Sequence, residues 1–529
     1  MPFNRWLIEG TLTTRTALRI GNGDVTKRDG LINPKDNKKI EIGACATDID
    51  ERAYLPGSTL KGKLRAAAKE LELSSTEELF GSEEPDDPEA VGGKAEFHDA
   101  PSISFGELVN PSPYWCHVRR TDVLAGVTLN RQRLTASDER LFHLEFVPPG
   151  VTFEVKISGQ KLEDSEVDDL LRALEAFNDE LAPIALGSST GDGWGRMDWR
   201  LTSLKRMRTD EIIAWVASDD PATGDAMLPE IPENEFHDFL VRSQTFAERC
   251  IDPGPRVKLN LRLRMESHFL VNDPSRTKKT VDDDLPNHAP LRTVNGRAVL
   301  PASSLRGAIR SQAERILRTI GGVKAACYPD GDGPRPACAS VYHSSELSVL
   351  CPACQIFGAP GWRAPLELTD FTSTAGIEGS EGVETKQEFV AIDRFTGGGS
   401  KGAKFNAVSV YKPVLQGSLT LDLAALARTG AGKWAIGLLI LTLRDLAEGD
   451  VRLGFGAAKG YGAVKAEIEA WSLPEWEEIP EVYRDYEMKA EFEDAIWPLT
   501  LTEDAQIALM LWIDELKAVA QSAATKEAV

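Results

Sequence analysis

The sequence predicts an α+β fold built from two similar halves, and two repeated segments are the basis of this prediction. The first is a strand end, a small polar turn and an amphipathic helix, which occurs as LPGSTLKGKLRAAAKEL at 55–71 and as LPASSLRGAIRSQAERIL at 300–317. The second is a glycine loop that leads into a strand, LGSSTGDGWGRM at 186–197 and LGFGAAKGYGAV at 453–464. Because both segments recur in the same order, we expect a duplicated structural unit.

Each half follows the same order of strands and helices. The clearest strand is VKLNLRLRM at 257–265, whose apolar residues alternate with the period of a half-buried strand. The paired elements are strands at 5–20 and 257–265, the two repeated helices, hairpins at 127–142 and 390–405, strands at 151–157 and 418–423, helices at 165–181 and 433–449, and the closing loops with their strands. This order is the βαββαβ plan of a ferredoxin-like (RRM-like) fold with an inserted hairpin in each half.

Four segments are expected in this chain of 529 residues. They are a first domain at 1–204, a linker at 205–256, a second domain at 257–470 with an insertion at 327–354, and an acidic segment with a C-terminal helix at 471–529. The linker contains SDDPATGDAMLPEIPENE, an acidic and proline-bearing stretch typical of an irregular connection. Thr502 is the expected N-cap of the last helix.

The composition limits the classes of function. The formal net charge of −22 argues against promiscuous nucleic-acid binding, although a local basic track can exist on an acidic body. No apolar run reaches the length of about 18 residues that a membrane span needs, so we expect no membrane association. Seven cysteines, an odd number in a long chain, indicate a reducing compartment, and we therefore expect a cytoplasmic protein.

Four cysteines in the second half have the spacing of a metal site. Cys327, Cys338, Cys351 and Cys354 supply four thiolates, and the last two form the CxxC knuckle CPAC, which suits tetrahedral zinc. The surrounding segment has no periodicity, so a structural zinc ion would stabilise it. His343 is the reserve ligand if Cys327 or Cys338 is not used. A thioredoxin-like redox role is the weaker alternative, because CPAC does not follow a strand in a βαβ unit.

Basic residues follow the turn of each repeated segment. A turn of small residues leaves backbone N–H groups free at a helix N-terminus, where anions bind. Glycines let a backbone approach closely and an aromatic ring offers a stacking face, so the closing loops suit the same ligand. A phosphodiester chain is the simplest partner, and its expected contacts are Ser58, Thr59, Lys61, Lys63, Arg65, Gly193, Trp194, Ser303, Ser304, Arg306, Arg310, Lys459 and Tyr461. The alternatives are ordinary capped helices and tight turns around core aromatics.

Carboxylates near the start of each half are candidates for chemistry. A glycine loop at 20–24 is expected to present Asp24, and MESHFLVND is expected to present Asp273. An acid on a loop beside a phosphate track can bind Mg²⁺ or orient a 2′-hydroxyl. The candidates are Asp24, Asp29, Asp273, Asp282, Asp283 and Asp284. The alternative for each one is a solvated or turn-forming aspartate; His268 and His288 are weaker acid–base candidates.

These motifs together resemble the RAMP superfamily of CRISPR type III effector complexes. The segments that carry the resemblance are LPGSTLKGKLR, LPASSLRGAIR, GWGRM, KGYGAV, CPACQIFG and AIDRFTGGG. They are similar to two fused copies of the backbone subunit that lines crRNA, and a zinc-knuckled tandem unit suggests the III-D or III-E branch.

The resemblance implies how the two halves would work. Each half would hold crRNA phosphates on its repeated helix and closing loop. Each hairpin, with Arg131 in the first and Arg394 in the second, would act as a thumb that displaces a base pair of the guide–target duplex. A loop aspartate would promote metal-dependent cleavage of target RNA by 2′-hydroxyl attack. Other type III effector subunits would be its partners.

Three alternatives remain open at this stage. The first is a purely structural guide-binding scaffold, with cleavage elsewhere in the complex. The second is a stand-alone endonuclease that processes repeat RNA through an acid–base side chain and without a metal. The third is a zinc-containing protein-interaction module that binds no RNA.

Overall fold

The computed structural model describes residues 4–32, 38–82, 91–106, 112–130, 136–179, 183–209, 211, 228–250, 254–277, 284–293, 296–329, 333–374, 383–484 and 503–525. Arg131, Asp282, Asp283 and Thr502 lie outside the described residues.

The strands are numbered here in chain order. They are β1 Arg5–Thr14, β2 Gly21–Ile32, β3 Lys39–Cys45, β4 Tyr54–Leu55, β5 Ala95–Phe97, β6 Ala100–Phe105, β7 Asp122–Leu129, β8 Ala136–Phe146, β9 Val151–Gln160, β10 Met197–Met207, β11 Arg256–Met265, β12 His268–Phe269, β13 Val299–Leu300, β14 Leu366–Leu368, β15 Phe371–Ser373, β16 Glu384–Ile392, β17 Gly399–Tyr411, β18 Val414–Asp422 and β19 Val464–Ser472.

The α-helices are numbered in the same way. They are α1 Gly57–Glu70, α2 Thr76–Phe80, α3 Asp164–Glu175, α4 Glu233–Cys250, α5 Ala302–Gly321, α6 Pro352–Phe357, α7 Leu423–Arg428, α8 Trp434–Glu448 and α9 Glu503–Thr525. None of the described helices is both long enough and apolar enough to cross a membrane.

Two antiparallel sheets confirm the predicted fold class. The first sheet has the order β10-β1-β9-β6-β4, and the second has the order β19-β11-β18-β15-β13. In each unit the fourth strand therefore lies beside the first, and the third lies between the first and the second. This is the strand order of a ferredoxin-like βαββαβ unit. The same order in both halves shows that the repeated segments belong to two copies of one fold.

Each copy buries its first helix in the same way. Leu60 and Leu64 of α1 are fully buried, as are Leu305 and Ile309 at the equivalent positions of α5. Residues four apart share one face of a helix, so each pair forms a stripe that packs on its sheet. The alternating burial of Val151–Gln160 supplies the apolar face of the first sheet.

The expected glycine loop around Asp24 is wrong. Gly21–Ile32 forms strand β2 and pairs with β3, with Thr26 opposite Ile42. Together with β7 and β8 these strands form a separate four-stranded sheet. Ile42 and Val123 are buried in a small core of this sheet, and that burial favours an extended hairpin over a loop.

Two segments outside the repeats also carry helices. The region at 205–256 includes the 18-residue helix α4. Its Phe239 is buried and meets Trp6 edge to face, with ring centroids 5.7 Å apart. The C-terminal helix α9 buries Trp512 and Leu516, and Gly321 of α5 lies so close to α9 that a Cβ atom there would be 2.3 Å from the carbonyl oxygen of Ala520.

A buried carboxylate fixes the base of the first inserted sheet. Glu145 has no exposed side-chain surface and accepts hydrogen bonds from Arg119 Nε at 2.8 Å and Thr121 Oγ1 at 2.6 Å. Its other partners are the Arg28 guanidinium and the backbone N–H of Cys45. Burial opposes the charged form, but the Arg119 and Thr121 hydrogen bonds outweigh it and lower the pKa of Glu145. The charge is therefore fully compensated.

We expect Glu145→Gln to lower the free energy of unfolding by about 3–5 kcal/mol, because two buried arginines would lose their counter-charge. In the unsubstituted protein, the stabilisation that the Glu145 carboxylate provides is complete above the ordinary glutamate pKa of about 4.3. It is lost as the pH falls through the lowered pKa that Glu145 has in the folded state. Denaturant titrations at neutral and acidic pH measure both effects. Glu41→Gln is the control, since its pair with Lys27 is exposed on both sides and should change stability by less than about 1 kcal/mol.

Candidate nucleic-acid interface and metal centre

Both repeated helices begin in the same way, and an aspartate already occupies each N-terminus. The backbone N–H of Gly57 donates to Asp99 Oδ1 at 2.8 Å, and that of Ala302 donates to Asp370 Oδ1 at 2.8 Å. The first amide of each helix is thus not free for a phosphate. The sequence contains a signal for these two contacts, because an aspartate directly precedes the next strand at the same place in both halves.

The hydroxyl side chains at these helix starts remain accessible. Ser58, Ser303 and Ser304 are exposed, and Thr59 is half-buried. The helix start has no side-chain cap bond in either copy, because a proline holds the N-cap position. These hydroxyls can therefore donate to an incoming phosphate oxygen.

The last arginine of each repeated motif has a structural role. Arg65 donates to the carbonyl oxygen of Phe80 and, at 3.1 Å, to that of Gly81. Arg310 donates to the carbonyl oxygen of Gly358 at 3.1 Å. Both arginines therefore hold the Phe-Gly end of a short helix, α2 or α6. Their positions do not support the predicted RNA contacts, and the repeated Phe-Gly dipeptide was the signal that could have indicated this.

Arg306 joins the two halves instead of facing solvent. Its Nε lies 2.7 Å from Asp192 Oδ1 in the closing loop of the first half, and it also donates to the carbonyl oxygen of Gly191. A third bond, from Nη1, reaches the carbonyl oxygen of Leu366 at 2.7 Å. Gly193 packs on the second half so closely that a Cβ atom there would be 2.8 Å from the Leu368 carbonyl oxygen. Arg306 and Gly193 are thus junction residues, and the predicted RNA contacts are not supported at either position.

The two closing loops share a backbone conformation but differ in their aromatic residues. Gly193 and Gly460 both have positive φ, 76° and 83°. Tyr461 is buried, donates its hydroxyl to Gln387 and stacks on His268 with centroids 5.3 Å apart. It is a core aromatic, so the predicted base stacking is not supported. Trp194 is half-buried and keeps part of its ring accessible.

The lysines predicted to contact phosphates remain at least partly exposed. Lys61 and Lys63 are half-buried, and burial followed by the charge of Arg363 lowers the pKa of Lys63. The ammonium group of Lys459 is exposed and lies 5.2 Å from the centre of the Phe455 ring. Arg394 is exposed at the tip of the second hairpin.

The candidate aspartates within the described residues differ in their exposure to solvent. Asp24, Asp29 and Asp284 are exposed. Asp29 pairs with Lys39 at 2.6 Å, and this hydrogen bond lowers the pKa of the carboxyl. Asp273 is buried and caps the turn that follows it, accepting from the Ser275 amide at 2.9 Å and its hydroxyl at 2.6 Å. The turn-forming alternative therefore describes Asp273 better than a catalytic role.

The two histidine candidates have different surroundings. His288 packs against Phe455, with ring centroids 4.3 Å apart, and its buried Nδ1 has no hydrogen-bond partner among the described residues. His268 shares hydrogen bonds with Ser409 at 3.0 Å and with Gln387 at 3.1 Å. Burial lowers the pKa of both His268 and His288, and the Lys459 charge adds to the effect at His288. Both imidazoles therefore favour the neutral form at pH 7.

The four cysteines converge on one point. The Sγ atoms of Cys327, Cys338, Cys351 and Cys354 all lie within 4.8 Å of one another, and those of Cys327 and Cys354 are 3.5 Å apart. Four sulfurs at about 2.3 Å from a tetrahedral zinc ion would be about 3.8 Å apart. The cluster can therefore hold a metal such as zinc. His343 is exposed and is not part of this group, so no reserve ligand is needed.

The four thiols share hydrogen bonds with one another in a mostly buried cluster. These bonds lower the pKa values of Cys338 and Cys351 and raise those of Cys327 and Cys354, so the group shares its protons unequally when no metal is bound. Arg310 Nη2 donates to Cys354 Sγ at 3.1 Å, and its Nε pairs with Glu314 at 2.8 Å. Although burial opposes its charge, the Cys354 sulfur and the Glu314 carboxylate raise the pKa of Arg310. One arginine thus links the repeated helix to the cysteine cluster and donates a hydrogen bond to one of its sulfurs.

Comparison with known proteins gives one family. The search of curated proteins found no match. The family match is to the RAMP superfamily, over residues 11–198 and 262–465. Each matched stretch runs from within the first strand of one βαββαβ unit to the start of its last strand, with the repeated helix and closing loop between them, and together the two stretches span well over half of the chain. The chain therefore belongs to the RAMP superfamily, as a protein with two RAMP units in tandem.

Proposed function

We propose that this chain is a tandem backbone subunit of a type III CRISPR effector complex, of the III-D or III-E kind, and that both halves hold crRNA. The observation that carries the proposal is the repetition of one helix–loop arrangement in two joined copies. Membership of the superfamily implies a CRISPR-associated RNA-binding function. A partner contacted twice in the same way is expected to be a repeating polymer, and a sugar–phosphate chain is one.

The proposed contacts are those that the structure leaves accessible. They are Ser58, Thr59, Lys63, Trp194, Ser303, Ser304 and Arg394. Hydroxyls and basic side chains suit phosphate oxygens, and the half-buried Trp194 suits a base. The acidic body around them, with a net charge of −22, would limit binding of unrelated nucleic acids.

The second hairpin has the features of the proposed thumb. Its tip is organised by Asp393, whose Oδ1 accepts the amides of Phe395 at 2.9 Å and Thr396 at 2.8 Å. This turn leaves Phe395 with 99% of its surface exposed. Phe389 and Phe405 stack across the two strands, with centroids 5.0 Å apart, and stiffen the hairpin. A rigid hairpin with a free aromatic ring can insert between bases.

Cleavage of target RNA is the second part of the proposal. Asp24, Asp29 and Asp284 are the accessible candidates among the described residues. Asp282 and Asp283, which precede Asp284 in the sequence, lie outside the described residues and complete the candidate set. Within the described ranges, the cysteines are the one group of three or more close ligands. Mg²⁺ would therefore bind with one or two of these carboxylates and with RNA phosphates. Its role would be to neutralise charge at the scissile phosphate.

RNA binding is tested by sequencing the nucleic acid that copurifies with the protein, which should be crRNA. Combined Lys63→Ala and Arg394→Ala should weaken guide binding and reduce the slope of log K against log salt by about 0.7 for each lost phosphate contact. Lys517→Ala is the matched control, because Lys517 is an exposed lysine on α9 paired with Asp514. Protein that purifies free of nucleic acid and binds no guide would support the protein-interaction alternative.

Cleavage is tested in the assembled complex. Asp24→Ala with Asp29→Ala should remove the products of the first half, and replacement of Asp282, Asp283 and Asp284 should remove those of the second. Asp29 lies in an exposed ion pair, so its loss should leave stability within about 1 kcal/mol of the parent. Survival of every product band would favour the scaffold alternative. Cleavage of repeat RNA by the lone protein in EDTA would favour the processing endonuclease.

We expect about one zinc ion per chain, held by the four cysteines. A strong chelator should release it and lower the melting temperature, because the segment around the cluster has little regular structure of its own. Cys351→Ser should lose the metal, whereas Cys116→Ser, outside the cluster, should retain it. Elemental analysis and thermal unfolding measure the two effects. A metal-free protein with the parent's melting temperature would contradict this expectation.

A further inference from the structure

The two halves of the chain meet at a contact that depends on charge. Arg306, the fifth residue of α5, pairs with Asp192 in the closing loop of the first half at 2.7 Å. Only 14% of the arginine side chain and 22% of the aspartate side chain are exposed. A pair this sheltered is strongly disfavoured when one member loses its counter-charge. The signs of the charges at these two positions therefore decide whether one unit can stack on the next.

Each of the two residues has a counterpart in the other half. Lys61 is the fifth residue of α1, as Arg306 is of α5. Lys459 ends the 3₁₀ turn Ala457–Lys459, as Asp192 ends the turn Thr190–Asp192. These counterparts do not meet within one chain. They would meet if a second copy stacked on the first in the way that the two halves stack.

Such a stack of identical chains would bring two positive charges together. Lys459 would face Lys61 at the place where Asp192 faces Arg306. The loop also carries Ala458 where the first half has Gly191, and a Cβ atom at Gly191 would lie 3.3 Å from Arg306 Nη2. Like charges in a sheltered contact cost several kcal/mol. The charge of the second loop is therefore unsuited to the helix of another copy.

Neither lysine has an acidic partner within the described part of the chain. Lys459 lies over the rings of Phe455 and Phe405, at 5.2 and 5.5 Å from their centres. No ion pair involving Lys61 is found among the described residues. Both positive charges are thus left for a partner.

We propose that the two ends of this chain reject a second copy of it and each accept an acidic protein partner. The partner of the Lys459 loop would be a unit of the same architecture with a carboxylate at the position of Arg306. The partner of the α1 end would carry a carboxylate in its closing loop, as Asp192 does. Opposite charge at this position specifies which unit is the neighbour, and like charge excludes the wrong one.

Charge-reversal substitutions in the full chain test this proposal, because a second copy of the same variant then supplies the acidic partner. Lys61→Glu gives the α1 end a carboxylate that can pair with Lys459 of another copy. Lys459→Asp, combined with Ala458→Gly, gives the loop a carboxylate that can pair with Lys61. The combination of all three substitutions restores like charge. Sedimentation velocity of nuclease-treated protein should show concentration-dependent association of the first two variants, and monomers of the parent and of the combined variant.

Salt and RNA distinguish the outcomes. Association of the two swapped variants should weaken at about 1 M salt, where the Debye length falls to about 3 Å. The proposal is overturned if both swapped variants stay monomeric at the highest concentration reached while their thermal unfolding matches the parent. It is also overturned if the nuclease-treated parent stacks with the Lys459 loop cross-linked to α1. Association of the parent only with added RNA, lost on nuclease treatment, would assign the two lysines to RNA instead.

Discussion

The interaction on which the arrangement of this molecule depends is the one between Arg306 and the closing loop of the first half. One guanidinium satisfies the Asp192 carboxylate and the carbonyl oxygens of Gly191 and Leu366. A planar group with several donors in fixed directions sets both the distance and the orientation of the units it joins. Two RAMP units with their own cores thus become one structure with a defined spacing, and a ligand that spans both halves meets its contacts at fixed intervals.

A single repeated motif carries several structural roles, and duplication has let them diverge. Its last arginine closes a short helix in both halves, as Arg65 does at α2 and Arg310 does at α6. In the second half the same arginine also donates to Cys354, so the position has gained a link to the metal centre. The fifth residue of the helix joins the halves as Arg306 in α5, but as Lys61 in α1 it has no acidic partner among the described residues. Equivalent positions therefore share geometry while their charges and partners differ.

The fold could be predicted because its signals are local. Alternating apolar residues, helical stripes and glycine loops depend on neighbours within a few positions, and both halves repeat them. The cysteine cluster could likewise be predicted, since a CxxC knuckle with two further cysteines has the ligand number and spacing of a zinc site. The prediction of a glycine loop around Asp24 was wrong because Gly21–Ile32 is stabilised by pairing with strand β3. Glycine content does not reveal such pairing between strands.

The sequence by itself determined that the chain is duplicated, the order of the strands and helices in the repeated βαββαβ units, and the four cysteines that meet. Only the tertiary structure decided which basic and aromatic residues are left free. Arg306 finds Asp192 across 114 positions of the chain, and Tyr461 is covered by residues of the inserted hairpin. Charge and residue type are visible in a sequence, but the partner that neutralises a charge or the side chain that covers a ring is not. These partners come from distant segments, because a buried polar group must be satisfied by whichever donor or acceptor the fold brings beside it.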